Sequence, residues 1–270
     1  MTARTIREPS PPGLAVPATI AVLFLVLPLA ALLLRAPWAD LPGILVEAHV
    51  LAALRLSLLC ATAATAISLL VGVPLSWWLA RQDGLAGTLT RALVTLPLVM
   101  PPVVGGVALL MAFGRNGVLG RYLDAWFGVT VPFTTGAVVL AETFVAMPFL
   151  IVSVEGALRG ADRGLVEAAA TLGASPWRVF WRITLPLARP ALVAGTVLCW
   201  ARALGEFGAT MMFAGNLPGR TQTMPLAVYM AMESDPQAAL GLSLVLLGIS
   251  VAVLLTLRSR WLTPGTTAAA

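Results

Sequence analysis

The chain has 270 residues, 59% hydrophobic and 11% charged, with a mean hydropathy of +0.92, more apolar surface than one water-soluble core can hide, so it reads as a membrane protein. All 17 cationic side chains are arginine, which excludes a G-x-x-x-x-G-K-[ST] phosphate loop, Schiff-base chemistry and lysine general bases. A single histidine, His49, and two cysteines, Cys60 and Cys199, cannot build an ordinary multi-ligand zinc site, and the net charge of +5 comes with no basic run that would suit nucleic acid.

A bilayer core roughly 30 Å thick asks for about 20 apolar residues of helix. The first such run, Pro9 to Leu34, follows Arg4 and Arg7 as a secretory signal would. Its apolar stretch exceeds a signal's core, so a retained helix is expected. Leu56 to Ala80 is a second uncharged run, and Ala92 to Gly114 a third, interrupted by Pro97, Pro101 and Pro102. Those prolines free carbonyl groups that lipid cannot satisfy, which suits either a kink or a helix lining a watered path. Thr135 to Val154 carries Glu142, Pro190 to Phe213 carries Arg202 and Glu206, and Pro236 to Leu257 is uncharged. The sum is an all-α membrane protein of six transmembrane helices. Glycine and small residues recur in the spans, at Gly105, Gly106, Gly195, Gly205, Gly208 and Ala209, as expected where helix backbones must approach closely in lipid. Cys60 and Cys199 lie inside apolar runs and read as small buried side chains.

Six spans put both termini on one side. Arg4, Arg7, Arg81, Arg91, Arg159, Arg163, Arg178, Arg182, Arg189, Arg258 and Arg260 share that side, eleven against the five of Arg35, Arg55, Arg115, Arg121 and Arg220. The excess places both termini in the cytoplasm.

The longest loop on that side, Gly156 to Arg189, has the punctuation of two short helices. The first runs through Leu165 to Leu172 and stops at Gly173, a residue suited to the left-handed turn that closes a helix. Ser175 is placed as N-cap and Pro176 as first residue of a second helix, Trp177 to Ile183, ending before Pro186. Such a hairpin either projects from the membrane or lies in the headgroups, and Trp177, Trp181 and the flanking arginines suit the second as well as the first.

Glu167-Ala168-Ala169, three residues, Gly173, nine residues, then Ile183-Thr184-Leu185-Pro186 resembles the E-A-A-x3-G-x9-I-x-L-P loop of binding-protein-dependent ABC importer permeases at every stated position. The resemblance implies a type I ABC importer permease (MetI-like) architecture in the cell inner membrane. In that family the loop is a coupling helix docked on a separate ATPase, which implies this role for Glu167, Ala168, Ala169, Gly173, Ala174, Ser175, Trp177, Ile183, Leu185 and Pro186. It implies no catalytic residue, metal or cofactor in this chain, with ATP and Mg used by the partner. The implied organisation is a cytoplasmic tail over 1–13, an additional first helix and periplasmic linker over 14–45, a permease domain over 46–261 with its coupling loop at 156–189, and a cytoplasmic tail over 262–270.

Two charges inside the fifth span need a reason, since each unneutralised charge near mid-membrane costs roughly 2.5–3.5 kcal/mol on insertion scales. Arg202 and Glu206 are four apart and can neutralise each other, or they can serve a wetted gate between two permease subunits. The stretch Gly205-Glu206-Phe207-Gly208-Ala209-Thr210, with Pro218-Gly219-Arg220-Thr221-Gln222-Thr223 and Leu96-Pro97 to Pro101-Pro102, is similar to molybdate permease subunits, with sulfate and thiosulfate permeases as near relatives. The implied function is import of molybdate, or alternatively tungstate, sulfate or thiosulfate, by alternating access. The implied partners are a second, identical permease subunit (a homodimer), two ABC ATPase subunits, a periplasmic molybdate-binding protein and membrane lipid. Pro101, Pro102, Arg202, Glu206, Thr210, Met211 and Phe213 are the candidates for lining or gating the path. A secondary transporter using Glu142, Arg202 and Glu206 as a charge path is the rival from another class, and it leaves the loop motif unexplained.

Overall fold

The computed structural model describes residues 12–160 and 163–261, so the expected tails fall largely outside the described residues. Every element among them is helical, as lipid requires of a chain whose backbone groups must be satisfied internally. In order these are α1 (Pro12–Leu34), α2 (Leu41–Val46), α3 (Ala48–Leu79), α4 (Leu85–Val99), α5 (Pro102–Phe113), α6 (Gly120–Phe127), α7 (Thr135–Gly160), α8 (Arg163–Thr171), α9 (Pro176–Val179), α10 (Leu185–Leu204), α11 (Gly208–Phe213), α12 (Met224–Ser234) and α13 (Pro236–Trp261).

Among the described residues five helical stretches are long and apolar enough to cross a membrane, or six when the bent pair is counted as one span. α7 is the central post, packed along α3 on one flank and α10 on another. Small residues make the contact close. Ala61 and Ala64 of α3, Ala137, Ala141 and Ala146 of α7 and Ala203 of α10 are completely buried, and a Cβ on Gly72 or Gly195 would come within 3.2 Å of Ile151 Cγ1 or 3.0 Å of Ser153 Cβ. Hydroxyls then bridge between helices, Ser76 donating to the Ile151 carbonyl at 3.3 Å and Ser153 to that of Ala191 at 3.1 Å. Such packing replaces the hydrophobic drive that lipid does not supply. Cys60 and Cys199 are buried and free, as the apolar runs around them imply. α1 stands apart: its stretch Ala15–Leu34 is 0% buried within the chain and meets α13.

Two spans differ from a plain reading of hydropathy. The run Ala92 to Gly114 is two helices, α4 and α5, whose axes make 118°. Pro101 and Pro102 cause the break, because Pro101 has no N–H to continue α4 and forces Met100 into an extended conformation (ψ 134°). The run Pro190 to Phe213 also breaks, at Gly205–Phe207, and at its other end it starts earlier than expected. The second helix of the hairpin does not end before Pro186. It passes from α9 through a π-helical turn, Phe180–Thr184, into α10, making one continuous helix of 29 residues, Pro176–Leu204. Pro186 has no N–H to offer a carbonyl of the preceding turn, and it follows a wider turn in which the Leu185 N–H bonds back to the Phe180 carbonyl.

Close approach at Gly106 tests this packing. A Cβ there would lie 2.7 Å from both the Ala209 carbonyl oxygen and Met212 Cβ, so Gly106→Val should cost about 1–3 kcal/mol by overpacking and lower the thermal unfolding midpoint of detergent-purified protein. Gly156→Ala, which meets nothing within 4 Å, should show no such loss.

Candidate functional site

The two broken spans meet. Gly208, first residue of α11, leaves room for Pro102, whose Cβ would lie 3.0 Å from a Cβ added at Gly208, and Gly106 of α5 sits against Ala209. The elbow of the third span thus rests on the break of the fifth, and the candidates Pro101, Pro102, Glu206 and Thr210 come from separate helices into one neighbourhood.

The break is built around Glu206. Gly205 takes φ −88°, ψ 8° and ends α10, while Glu206 is 1% exposed. Its Oε1 accepts the Ala209 N–H at 2.8 Å, capping α11, and its Oε2 lies 2.6 Å from Arg202 Nη2, a charge contact outside hydrogen-bonding geometry. The expected neutralisation of Arg202 by Glu206 is therefore present, and a second role is added that spacing did not reveal. One carboxylate thus pairs with a cation in the last turn of α10 and accepts an N–H in the first turn of α11, so it lies at both helix ends. Glu142 of α7 is also 1% exposed, lies within electrostatic reach of Glu206, and has an Oε2 without a hydrogen-bond partner.

Around this break the candidates divide by burial. Pro101 and Pro102 are exposed on the elbow, Met211 is partly exposed, and Arg202 is partly exposed beside buried Glu206. Thr210 and Phe213 are fully buried; Phe213 packs with Cys60, Leu109, Val138 and Ala141, and tilts against Phe113 at 6.5 Å. Within one chain Phe213 belongs to the core. The loop Pro218–Thr223 is likewise architectural. Thr221 Oγ1 accepts the Leu217 N–H at 2.9 Å and donates to the Gly215 carbonyl at 3.2 Å, Gly219 supplies a left-handed turn at φ 72°, and the Arg220 carbonyl receives Thr135 Oγ1 of α7 at 2.9 Å.

The hairpin forms at the other end of α7. The backbone of Glu167, Ala168 and Ala169 lies on α8, with Ala168 exposed. Gly173 adopts φ 79°, the left-handed conformation its position asked for, and the Ala174 N–H closes on the Ala169 carbonyl at 3.0 Å. Ser175 is the N-cap, its hydroxyl accepting from the Arg178 N–H at 3.4 Å, with Pro176 next. Leu172, Trp177 and Trp181 stand 88%, 70% and 53% exposed on the hairpin. Phe180 anchors it, in edge contact with Trp77 at the end of α3 and stacked on Trp177, each at 5.8 Å. Ile183 and Leu185 are partly buried in the π turn and the first turn of α10, and Pro186 is exposed beside them. These three form the stem of the hairpin instead of its tip.

The hairpin thus presents exposed apolar and aromatic side chains at one end of the bundle, and the bundle holds two broken spans seated on each other. Residues 72–266 match the family described as binding-protein-dependent transport system inner membrane component. The chain belongs to this family. The permease is 47% identical over 244 residues to the molybdenum transport system permease protein ModB of Mycobacterium tuberculosis, covering 90% of this chain and 92% of that one. ModB of Haemophilus influenzae is 42% identical, covering 78% of this chain and 93% of its own length. In fold the permease is similar to a chain of the bacterial alginate ABC transporter solved with an alginate pentasaccharide-bound periplasmic protein, at a TM-score of 0.75 and 15% identity, covering 92% of each chain. It is thus a multi-pass inner-membrane transport permease, and a single-chain secondary transporter is not favoured.

Sequence patterning missed the cap formed by Glu206, the stem role of Phe180 with Trp77, and a cluster of charges where α3 ends, α4 begins and α7 ends, Arg91, Glu155, Arg159 and Asp83. The arginines of that cluster carry a sequence signal only for membrane orientation.

The dual role of Glu206 makes a distinct prediction. Glu206→Gln keeps an oxygen for the Ala209 N–H and loses the charge, whereas Glu206→Ala loses both, about 1 kcal/mol more for the cap. Thermal unfolding in detergent should rank wild type above the Gln variant and the Gln variant above Ala. The exchanged pair Arg202→Glu with Glu206→Arg should fail to restore stability, because arginine has no acceptor for the cap.

Proposed function

We propose that the permease imports molybdate into the cytoplasm by alternating access, as one of two copies that enclose the path. Two ATPase subunits using ATP and Mg engage the hairpins, and a periplasmic binding protein delivers the ion. The observation that carries this reading is the near-full-length identity with molybdenum permeases, joined to a hairpin with the form of a docking unit. The arginine excess puts the hairpin and both termini in the cytoplasm. A tetrahedral dianion cannot enter hydrocarbon unaided, so the path is a watered cavity in which tight binding would slow release. The work of this chain is accordingly to open and close: the α4–α5 elbow and the α10–α11 break, seated on each other, are the parts with two helix ends free to change angle. Selection of the ion rests with the binding protein, which agrees with the packing and turn-closing roles of Gly208, Ala209, Gly219 and Thr221.

Uptake of labelled molybdate into proteoliposomes holding permease, ATPase and binding protein tests the substrate. Molybdate uptake should persist within about twofold when sulfate is present in tenfold excess; loss of uptake under that competition would reassign the importer of which the permease is part to sulfate. Tungstate competing on equal terms would widen the substrate class to both ions.

The docking role has its own test. Gly173→Asp puts a side chain on a backbone that costs L-residues roughly 1–2 kcal/mol, and Glu167→Lys reverses a charge on α8. Both variants should insert normally while ATP hydrolysis no longer drives uptake, and full uptake in both would remove the hairpin from the mechanism.

A further inference from the structure

At the hairpin end of the bundle one guanidinium gathers three helices. Arg91 of α4 donates through Nη2 to the carbonyls of Leu79, last residue of α3, and Gln82, each at 2.6 Å, and through Nε to Glu155 Oε1 of α7. Glu155 lies 3.7 Å from Arg159 Nε, and Arg159 in turn donates to Asp83 Oδ1 in the α3–α4 loop at 3.1 Å. The Arg91 and Glu155 side chains are 23% and 11% exposed. Space for the knot comes from Gly87, where a Cβ would lie 2.6 Å from Gln82 Cβ and 2.7 Å from the Gln82 carbonyl oxygen.

This knot holds an otherwise loosely packed helix. Leu85, Leu89, Leu93, Leu96 and Val99 of α4 are all more than half exposed, and Gly87 is its one buried residue. Beyond its contact with α7, α4 is tied to the end of α3 and to Glu155 through Arg91. On one side the knot adjoins the hairpin, since Glu155 and Arg159 belong to the last turns of α7, which ends at Gly160 just before α8. On the other side α4 leads through Met100 to the elbow, where Pro102 rests on Gly208 and α5 seats against α11.

We infer that Arg91 is a positioning residue of the transport cycle, carrying displacement of the ATPase-docking hairpin through α4 to the elbow that gates the path. The inference rests on the transport reading above. An arginine is needed because its rigid planar fork meets two carbonyls and a carboxylate at once, which the single ammonium of lysine cannot reproduce. The partly buried pair with Glu155 gives the link stiffness, as separating such charges is costly.

The test uses the reconstituted complex of permease, ATPase and molybdate-loaded binding protein, and reads ions imported per ATP hydrolysed alongside basal hydrolysis. Arg91→Lys should assemble in wild-type amounts and hydrolyse ATP at a basal rate within about twofold, while uptake per ATP falls about tenfold, the size of an ordinary coupling energy. Arg115→Lys, in an exposed pair with Asp124 at the far end, should change neither. Unaltered uptake per ATP in Arg91→Lys overturns the inference. If that variant does not assemble, Glu155→Gln decides: assembled but uncoupled sustains the inference, and wild-type coupling overturns it, as does loss of assembly in both variants, since the knot then only holds the fold. Failure of the transport reading looks different, because wild-type complex would then show no hydrolysis stimulated by the molybdate-loaded protein.

Discussion

Inside a bilayer a broken helix leaves N–H and C=O groups that lipid cannot satisfy, and this permease contains two such breaks. They are placed against each other, Pro102 on Gly208 and Gly106 on Ala209. Glu206 supplies what neither backbone has, an acceptor for α11 and a counter-charge for Arg202. The arrangement explains why a carboxylate and a guanidinium are kept at a depth where each alone would be costly. It also explains why glycines sit at the contact, since any side chain there would push the elbow off the break.

Packing around that contact is uneven. α7, α3 and α10 form a close-packed frame of alanines and glycines with bridging hydroxyls, and packing that tight resists deformation. α4, by contrast, shows most of its apolar surface to its surroundings. A transporter needs both, a rigid post to receive force and a lightly held element to respond. The continuous helix from Pro176 to Leu204 supplies another rigid connection, joining the hairpin tip directly to the break at Gly205. Its π turn lets a proline stand in that lever without severing it.

Much of this was legible in composition and spacing. Uncharged runs marked the spans because lipid imposes length and apolarity residue by residue, and Gly173, Ser175 and Pro176 marked the hairpin because helix caps are local chemistry. The pairing of Arg202 with Glu206 followed from helical periodicity. Less legible was the burial of individual span residues, Phe213 and Thr210 being fully buried within the chain and Pro101 and Pro102 exposed, because hydropathy cannot say which face of a span meets protein. The end of the second hairpin helix was misplaced for a related reason, since a proline reads as a stop until a wider turn upstream accommodates it.

Sequence alone determined that the chain lies in a membrane, that it has the material for six crossings, that it binds no nucleotide through a lysine loop, and that it carries a hairpin of a permease family. These follow from local or summed properties of residues, which need no knowledge of neighbours. Only the tertiary structure decided that the third crossing is an elbow of 118°, that this elbow sits on the break of the fifth, that Glu206 serves two helix ends, and that Arg91 ties three helices together. Each of those is a meeting of groups far apart in the chain, and distance along a sequence does not specify which polar groups satisfy one another once water is gone.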